Sequence, residues 1–332
     1  MANYSRQQEQ KMEHRINARL NRRGFCLCCL GAATVGATRG WLTPREAFAQ
    51  AQGIVQSMID AAGTAPIRVQ PLRGGLSFLE GSGGNIAVSV GPDGKVMVDS
   101  GLAGSRAQMA RALSNLGPQP VTQVINTHWH FDHANGNEWL HETGPAILSH
   151  RNTQRHLSTL TRVEDWDYDF QPLASEAVPS IAMGNAHTLR LNGTVELTHY
   201  PNAHTDGDII AHFVDQDIVH TGDIYWSAGY PFIDHSTGGT IGGTITAVSA
   251  ILGKIGDDTI VIPGHGPVST KAQLAEYNGM LIAISERVSA LKSAGRTEPE
   301  IIEAAPTAPF DDRWGHFLID PAFFVRLVYA DL

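Results

Sequence analysis

Val121-Thr122-Gln123-Val124-Ile125-Asn126 leads directly into Thr127-His128-Trp129-His130-Phe131-Asp132-His133. The first six residues are a short apolar run of the kind that forms a buried strand. At its end, four side chains able to bind a metal, His128, His130, Asp132 and His133, fall within six residues. Two histidines at this spacing on a loop can turn both imidazoles toward one ion. Asp132 and His133 can address a second ion beside it. Imidazole and carboxylate are the donors expected for Zn²⁺ where no thiolate is at hand. A lone histidine is more often a packing or surface residue; four such donors at a strand end read as a site.

The flanking sequence supplies the scaffold. Ile67 to Gln70, Leu76 to Leu79, Asn85 to Val90 and Lys95 to Asp99 read as strands, with Gly91-Pro92-Asp93-Gly94 a hairpin turn. Ser105 to Leu116 reads as an amphipathic helix closed by Gly117-Pro118. The second half repeats the style. Leu189 to Leu191, Val195 to Tyr200, Ile209 to Val214, Ile218 to Thr221 and Thr259 to Ile262 read as strands. Thr246 to Ile255 and Lys271 to about Ser293 read as helices. Strands interleaved with helices in both halves indicate an α/β sandwich in one domain, residues 50–332, with a helical C-terminal region.

Further donors follow in order: His204 in Asn202-Ala203-His204-Thr205-Asp206-Gly207-Asp208, Asp223 in His220-Thr221-Gly222-Asp223, and His265 in Pro263-Gly264-His265-Gly266. Together with His128-x-His130-x-Asp132-His133 they resemble the metallo-β-lactamase-fold superfamily over most of residues 50–332. That resemblance implies an αββα fold, two sheets back to back with helices outside. It also implies two zinc ions: His128, His130 and His204 on the first, Asp132, His133 and His265 on the second, and Asp223 bridging. The implied reaction is hydrolysis of a carboxylic-acid derivative by a hydroxide shared between the metals, with Asp132 orienting it. A β-lactam is the leading expectation for the small-molecule substrate. A glyoxalase-II-like thioester or a lactone is the alternative, since some true β-lactamases place a cysteine where this chain has Asp223. An iron oxidoreductase or a non-catalytic zinc-binding protein is the remoter reading.

Around the site, Asp99 and Thr127 are candidates to fix imidazole tautomers. Phe78-Leu79 before Gly81-Ser82-Gly83-Gly84, the run Trp166 to Phe170, and Tyr225, Trp226, Tyr230 and Phe232 are candidates for the pocket wall. Gly238 to Thr244 lacks the lysine of a phosphate loop and reads as a flexible loop. The remaining histidines read mostly as packing residues, His150 and His235 being the two placed to line the site.

The first 49 residues differ from the rest. They hold eight Lys/Arg and three Glu, a charge of +5; of the total 24 basic and 33 acidic residues this leaves 16 and 30, or −14. Asn21-Arg22-Arg23-Gly24-Phe25-Cys26-Leu27 resembles a twin-arginine export signal, an apolar stretch runs from Phe25 to Thr38, and Ala47-Phe48-Ala49 fits a cleavage site. The expectation is a signal peptide over residues 1–49 and a periplasmic protein. All three cysteines, Cys26, Cys28 and Cys29, lie in that leader, so no thiolate serves the chemistry. Over 332 residues, 42% apolar and 17% charged content is ordinary globular composition. No apolar run approaches the ~18 residues of a bilayer span, which leaves no membrane association after removal of the signal. The net charge of −9 argues against nucleic acid as a partner.

Overall fold

The computed structural model describes residues 44–332. The twin-arginine motif and the three cysteines lie outside these residues, as does most of the expected leader. A helix, Pro44–Ala62, runs through Ala47-Phe48-Ala49 and inserts Val55 and Ala62 into the core. Among the described residues no helix is long and apolar enough to cross a membrane.

Seven strands form the first sheet. β1 (Arg68–Pro71), β2 (Leu76–Glu80), β3 (Ile86–Gly91) and β4 (Gly94–Val98) run antiparallel; β5 (Val121–Ile125), β6 (Ala146–His150) and β9 (Ile181–Met183) continue it in parallel. A small hairpin, β7 (Thr161–Val163) and β8 (Tyr168–Phe170), stands apart. The second sheet holds β10 (Ala186–Arg190), β11 (Thr194–His199), β12 (Ile209–Phe213), β13 (Ile218–His220), β14 (Ile260–Ile262) and β15 (Ser269–Thr270) in sequence order. Only its β13–β14 pair is parallel.

Successive side chains on a strand face opposite ways, and the core clusters follow that alternation. Phe78, Ala87, Val96, Val98, Ile125 and Leu148 meet Leu197, Ile209, Ala211, Phe213 and Ile262 between the sheets. Their neighbours Leu79, Val88, Met97 and Val124 face outward onto the helix Arg106–Asn115. On the other side Ile210, Val219 and Val261 face the helices Ile241–Lys254, Lys271–Ser293 and Pro321–Asp331. Burial on both faces explains why these strands read as continuous apolar runs. The layers are helix, sheet, sheet, helix: the αββα arrangement.

Two expectations need correction here. Phe78 and Leu79, expected at the pocket wall, are instead packed into β2 on its two faces. The helix expected from Thr246 begins at Ile241, inside the glycine run taken as a flexible loop. Thr240 caps it by accepting from the Gly243 N–H. A side chain at Gly243 would overlap the Asn202 carbonyl, so glycine there serves close packing rather than mobility.

Candidate metal centre

The seven candidate residues leave their strands on one edge of the sandwich. His128 and His130 follow β5, and Asp132 and His133 sit in a single helical turn, Phe131–Ala134. His204 lies in the β11–β12 loop, Asp223 in the turn Gly222–Ile224 after β13, and His265 just beyond β14. The two sheets are joined at this edge, where the Ile209 N–H donates to the Thr127 carbonyl at 2.8 Å. Asn85 does the same between the β2–β3 loop and the His265 loop, its side-chain N–H groups donating to the Pro263 and Gly266 carbonyls. Gly264 is required by proximity: a methyl there would overlap Asp223 Oδ1.

The side chains gather in two groups, His128, His130, His204 and Asp223, and Asp132, His133 and His265; within each, the candidate ligand atoms lie within 4.8 Å of one another. All seven are buried. Asp223 reaches across both groups: its carboxylate is 3.5 Å from His204 Nε2, 3.1 Å from His133 Nε2 and 3.4 Å from His265 Nε2.

Outer hydrogen bonds orient the rings. His130 Nε2 faces the Asp234 carboxylate at 3.0 Å, His204 Nδ1 the Phe232 carbonyl at 2.8 Å, and His133 Nδ1 the Asp99 carboxylate at 2.8 Å. In His130 and His204 an outer acceptor demands the N–H on that side. Their inner nitrogens, His130 Nδ1 and His204 Nε2, therefore face each other as lone pairs, 2.9 Å apart. His128 Nε2 is buried beside them and has no hydrogen-bond partner among the described residues. Converging buried lone pairs repel unless a cation lies between them; this donor set fits a metal ion.

Charge supports the same reading. Burial, then the neighbouring His133, pushes His128 well below its ordinary value. Burial likewise lowers His130 and His204, so the first group is three neutral imidazoles. In the second, burial is outweighed by the carboxylates: Asp223, Asp132 and Asp99 raise His133 well above its usual range, and Asp223 and Asp132 push His265 up to about 9. Asp223 in turn is held well below the usual carboxylate range, His133 and His265 overcoming its burial.

A cleft opens over the two groups, bordered by His130, His204, Asp132, His265 and Asp223. Trp166, Trp226 and Phe232, expected as wall residues, line it. Tyr225 and Tyr230 from the same runs are fully buried in the core instead, their hydroxyls bonded to Ser269 and Asp311. Ile54 and Met58 of the helix Pro44–Ala62, with Leu318 and Ile319, complete it from both ends of the chain; sequence pattern gave no sign of them. His150 and His235 do not line it. His150 stacks on His199 with centroids 3.7 Å apart, and His235 faces Asp165 and Asp331. Asp99 and Thr127 meet as expected, Asp99 accepting from the Thr127 N–H and hydroxyl. Asp234, 104 residues from its partner His130, was not foreseen; its one signal is the Asp-x-x-Thr turn to Thr237.

The family profile described as the Metallo-beta-lactamase superfamily matches residues 79–270, more than half of the chain. The chain belongs to the metallo-beta-lactamase superfamily. A curated relative, hydroxyacylglutathione hydrolase of Polaromonas sp. (strain JS666 / ATCC BAA-500), is 25% identical over 151 residues, which is 44% of this chain and 48% of the relative. The superfamily fold is also seen in solved structures. The DIM-1 metallo-beta-lactamase is similar with a TM-score of 0.51 and 18% identity, over 65% of this chain and 97% of that one. The stereoselective inverting sec-alkylsulfatase Pisa1 from Pseudomonas sp. has a TM-score of 0.61 and 15% identity, over 83% of this chain and 51% of that one. Like this chain, then, both carry the superfamily's two-sheet core.

Proposed function

We propose that this chain is a zinc-dependent hydrolase that opens a carboxylic-acid derivative at the paired centre. The observation that carries this reading is Asp223, one buried carboxylate within 3.5 Å of ring nitrogens in both groups. His128, His130 and His204 would hold one metal, Asp132, His133 and His265 the other, and Asp223 would contact both. Bound there, a zinc pair would supply carbonyl polarisation and a water acidified toward neutrality. The chain's own residues do the rest. Asp132 directs Oδ2 toward His265 Nε2 at 3.3 Å and borders the cleft, so its carboxylate is placed to accept a proton from attacking water. Asp99, Asp234 and the Phe232 carbonyl hold the imidazoles in position, and Trp166 and Phe232 keep bulk water from the reacting groups.

Among substrates, a β-lactam or a glutathione thioester carries carboxylates that want cationic anchors. Among the described residues no Lys or Arg lines the cleft. The C-terminal cations are engaged elsewhere: Arg287 with the Pro306 carbonyl, Lys292 with the Tyr329 carbonyl, Arg313 with Glu276 and Arg296 with Glu300. A β-lactam would therefore need its carboxylate held by the metals themselves; a neutral lactone or ester makes no such demand. The Arg22-Arg23 motif supports twin-arginine export and action in the periplasm as part of the same proposal. The deciding experiment is a hydrolysis screen of zinc-loaded protein against penicillins, cephalosporins, carbapenems, lactones and acyl thioesters. Metal-dependent turnover of any one class supports the reading and names the class; no turnover of any, at high enzyme concentration, contradicts it.

A further inference from the structure

We infer that Thr237 is a positioning residue for the first group: its hydroxyl, aligned by the indole N–H of Trp129, fixes the Asp234 carboxylate that holds His130, while the turn around it holds the His204 loop. This rests on the reading of the two groups as metal sites. Trp129 stands between His128 and His130 in the motif, and its Nε1 donates to Thr237 Oγ1 at 3.1 Å. An indole N–H cannot accept, and a hydroxyl carries a single proton. The Thr237 proton therefore goes the other way, to Asp234 Oδ2 at 2.5 Å. That same oxygen faces His130 Nε2 at 3.0 Å, while Asp234 Oδ1 accepts from the Thr237 N–H at 3.2 Å. Trp129, Thr237, Asp234 and His130 are all buried, so bulk water does not compete for any link.

The main chain of the same turn grips the His204 loop. The Asp234 N–H donates to the His204 carbonyl at 3.0 Å, and the Asp206 N–H to the Thr237 carbonyl at 2.8 Å. Gly239 closes against them: its N–H donates to the Asp234 carbonyl, and a methyl there would overlap the His204 carbonyl. One segment, Asp234 to Gly239, thus carries His130 by a side chain and His204 by its backbone. The inner nitrogens of these two rings stand 2.9 Å apart, a spacing that two lone pairs resist without a cation. Holding both rings there is preorganisation, which spares an arriving cation the cost of assembling its own ligands. Among the described residues, Asp132, His133 and His265 make no hydrogen bond to this segment, so its effect falls on one of the two groups.

The test is a stepwise zinc titration of chelator-treated protein, in competition with a metal-binding dye, so that affinity is read rather than turnover. Thr237→Val keeps the side-chain shape and deletes the hydroxyl. It should weaken one zinc step by about 10–100-fold, the loss typical of a group that orients a ligand from outside, and leave the other step unchanged. Thr237→Ser should restore the affinity; Thr237→Ala should repeat the loss if the valine variant does not fold. Trp129→Phe should cost about two- to tenfold alone, and nothing further in the Thr237→Val background, because the indole acts through the hydroxyl. In zinc-loaded protein with ¹⁵N-labelled histidine, the His130 Nε2–H resonance should move in Thr237→Val and return in Thr237→Ser. Unchanged affinity in Thr237→Val, equal weakening of both zinc steps, or additive losses in the tryptophan and valine variants would overturn the inference; zinc uptake by the wild type would still leave the metal-centre reading standing. A wild-type chain that takes up no zinc would overturn both.

Discussion

Oδ2 of Asp99 lies 2.8 Å from Nδ1 of His133. The same carboxylate accepts from the Thr127 N–H and hydroxyl, so the end of β4 fixes both the strand end that carries the histidine motif and one of its imidazoles. Asp99 does this from a left-handed backbone, φ 65°, which an Asn also tolerates. Asp99→Asn should therefore keep the fold while presenting an N–H to the His133 ring. Zinc affinity should fall by about 10–100-fold, measured by competition with a chelator. Undiminished affinity would show that this carboxylate does not orient the ring.

Asp132→Asn should lower kcat/KM by about two to four orders of magnitude, as expected for losing a proton acceptor at the reacting centre. His187→Ala, on the exposed face of β10, should leave turnover near wild type. Similar losses in both variants, in a kinetic comparison at matched metal content, would deny Asp132 a special role.

Gly264→Ala places a methyl against Asp223 Oδ1. Overpacking of this kind costs about 1–3 kcal/mol, and here the group displaced is the one shared by both halves of the centre. The expected outcome is a lowered Tm together with lost metal stoichiometry; full metal content in the variant would mean that the carboxylate can shift without consequence.

Acid should destabilise the protein through His150. Burial, then the stacked His199 and nearby Arg151, hold its imidazole down at about 4, against 6.5 for a free ring; Asp206 opposes and Arg155 adds to the effect. The unfolded chain thus binds a proton that the fold refuses, and stability from this group is complete above pH 6.5 and declines as pH falls toward about 4. His150→Asn preserves an acceptor for the Asn152 N–H and should flatten that part of a Tm–pH profile. An unchanged profile would assign the acid loss to other groups.

The site was legible because its chemistry is dense and ordered: His128 to His133 follow a readable strand, and His204, Asp223 and His265 each end a short apolar run beside a turn. The strands of the two sheets were legible where both faces are buried. Residues 146–183 were not, since β6 to β9 have three to five residues each; β6 and β9 are defined by pairing with strands far along the chain, and the β7–β8 hairpin stands apart from both sheets. Asp234 escaped for a related reason: its bond to His130 spans 104 residues and leaves no local pattern. The glycine run before Thr244 misled because tight packing on Asn202 and a turn need the same residue. The cleft wall combines Ile54 with Leu318, positions that only the folded chain brings together.

The most direct measurement is a zinc titration of chelator-treated protein, with bound metal and hydrolysis of the best substrate read in the same samples. A paired centre built from His128, His130, His204, Asp132, His133, His265 and Asp223 should saturate near two zinc per chain, with activity lost on chelation and regained as the sites fill. Saturation at one metal with full activity, or tight iron with no zinc, would contradict it.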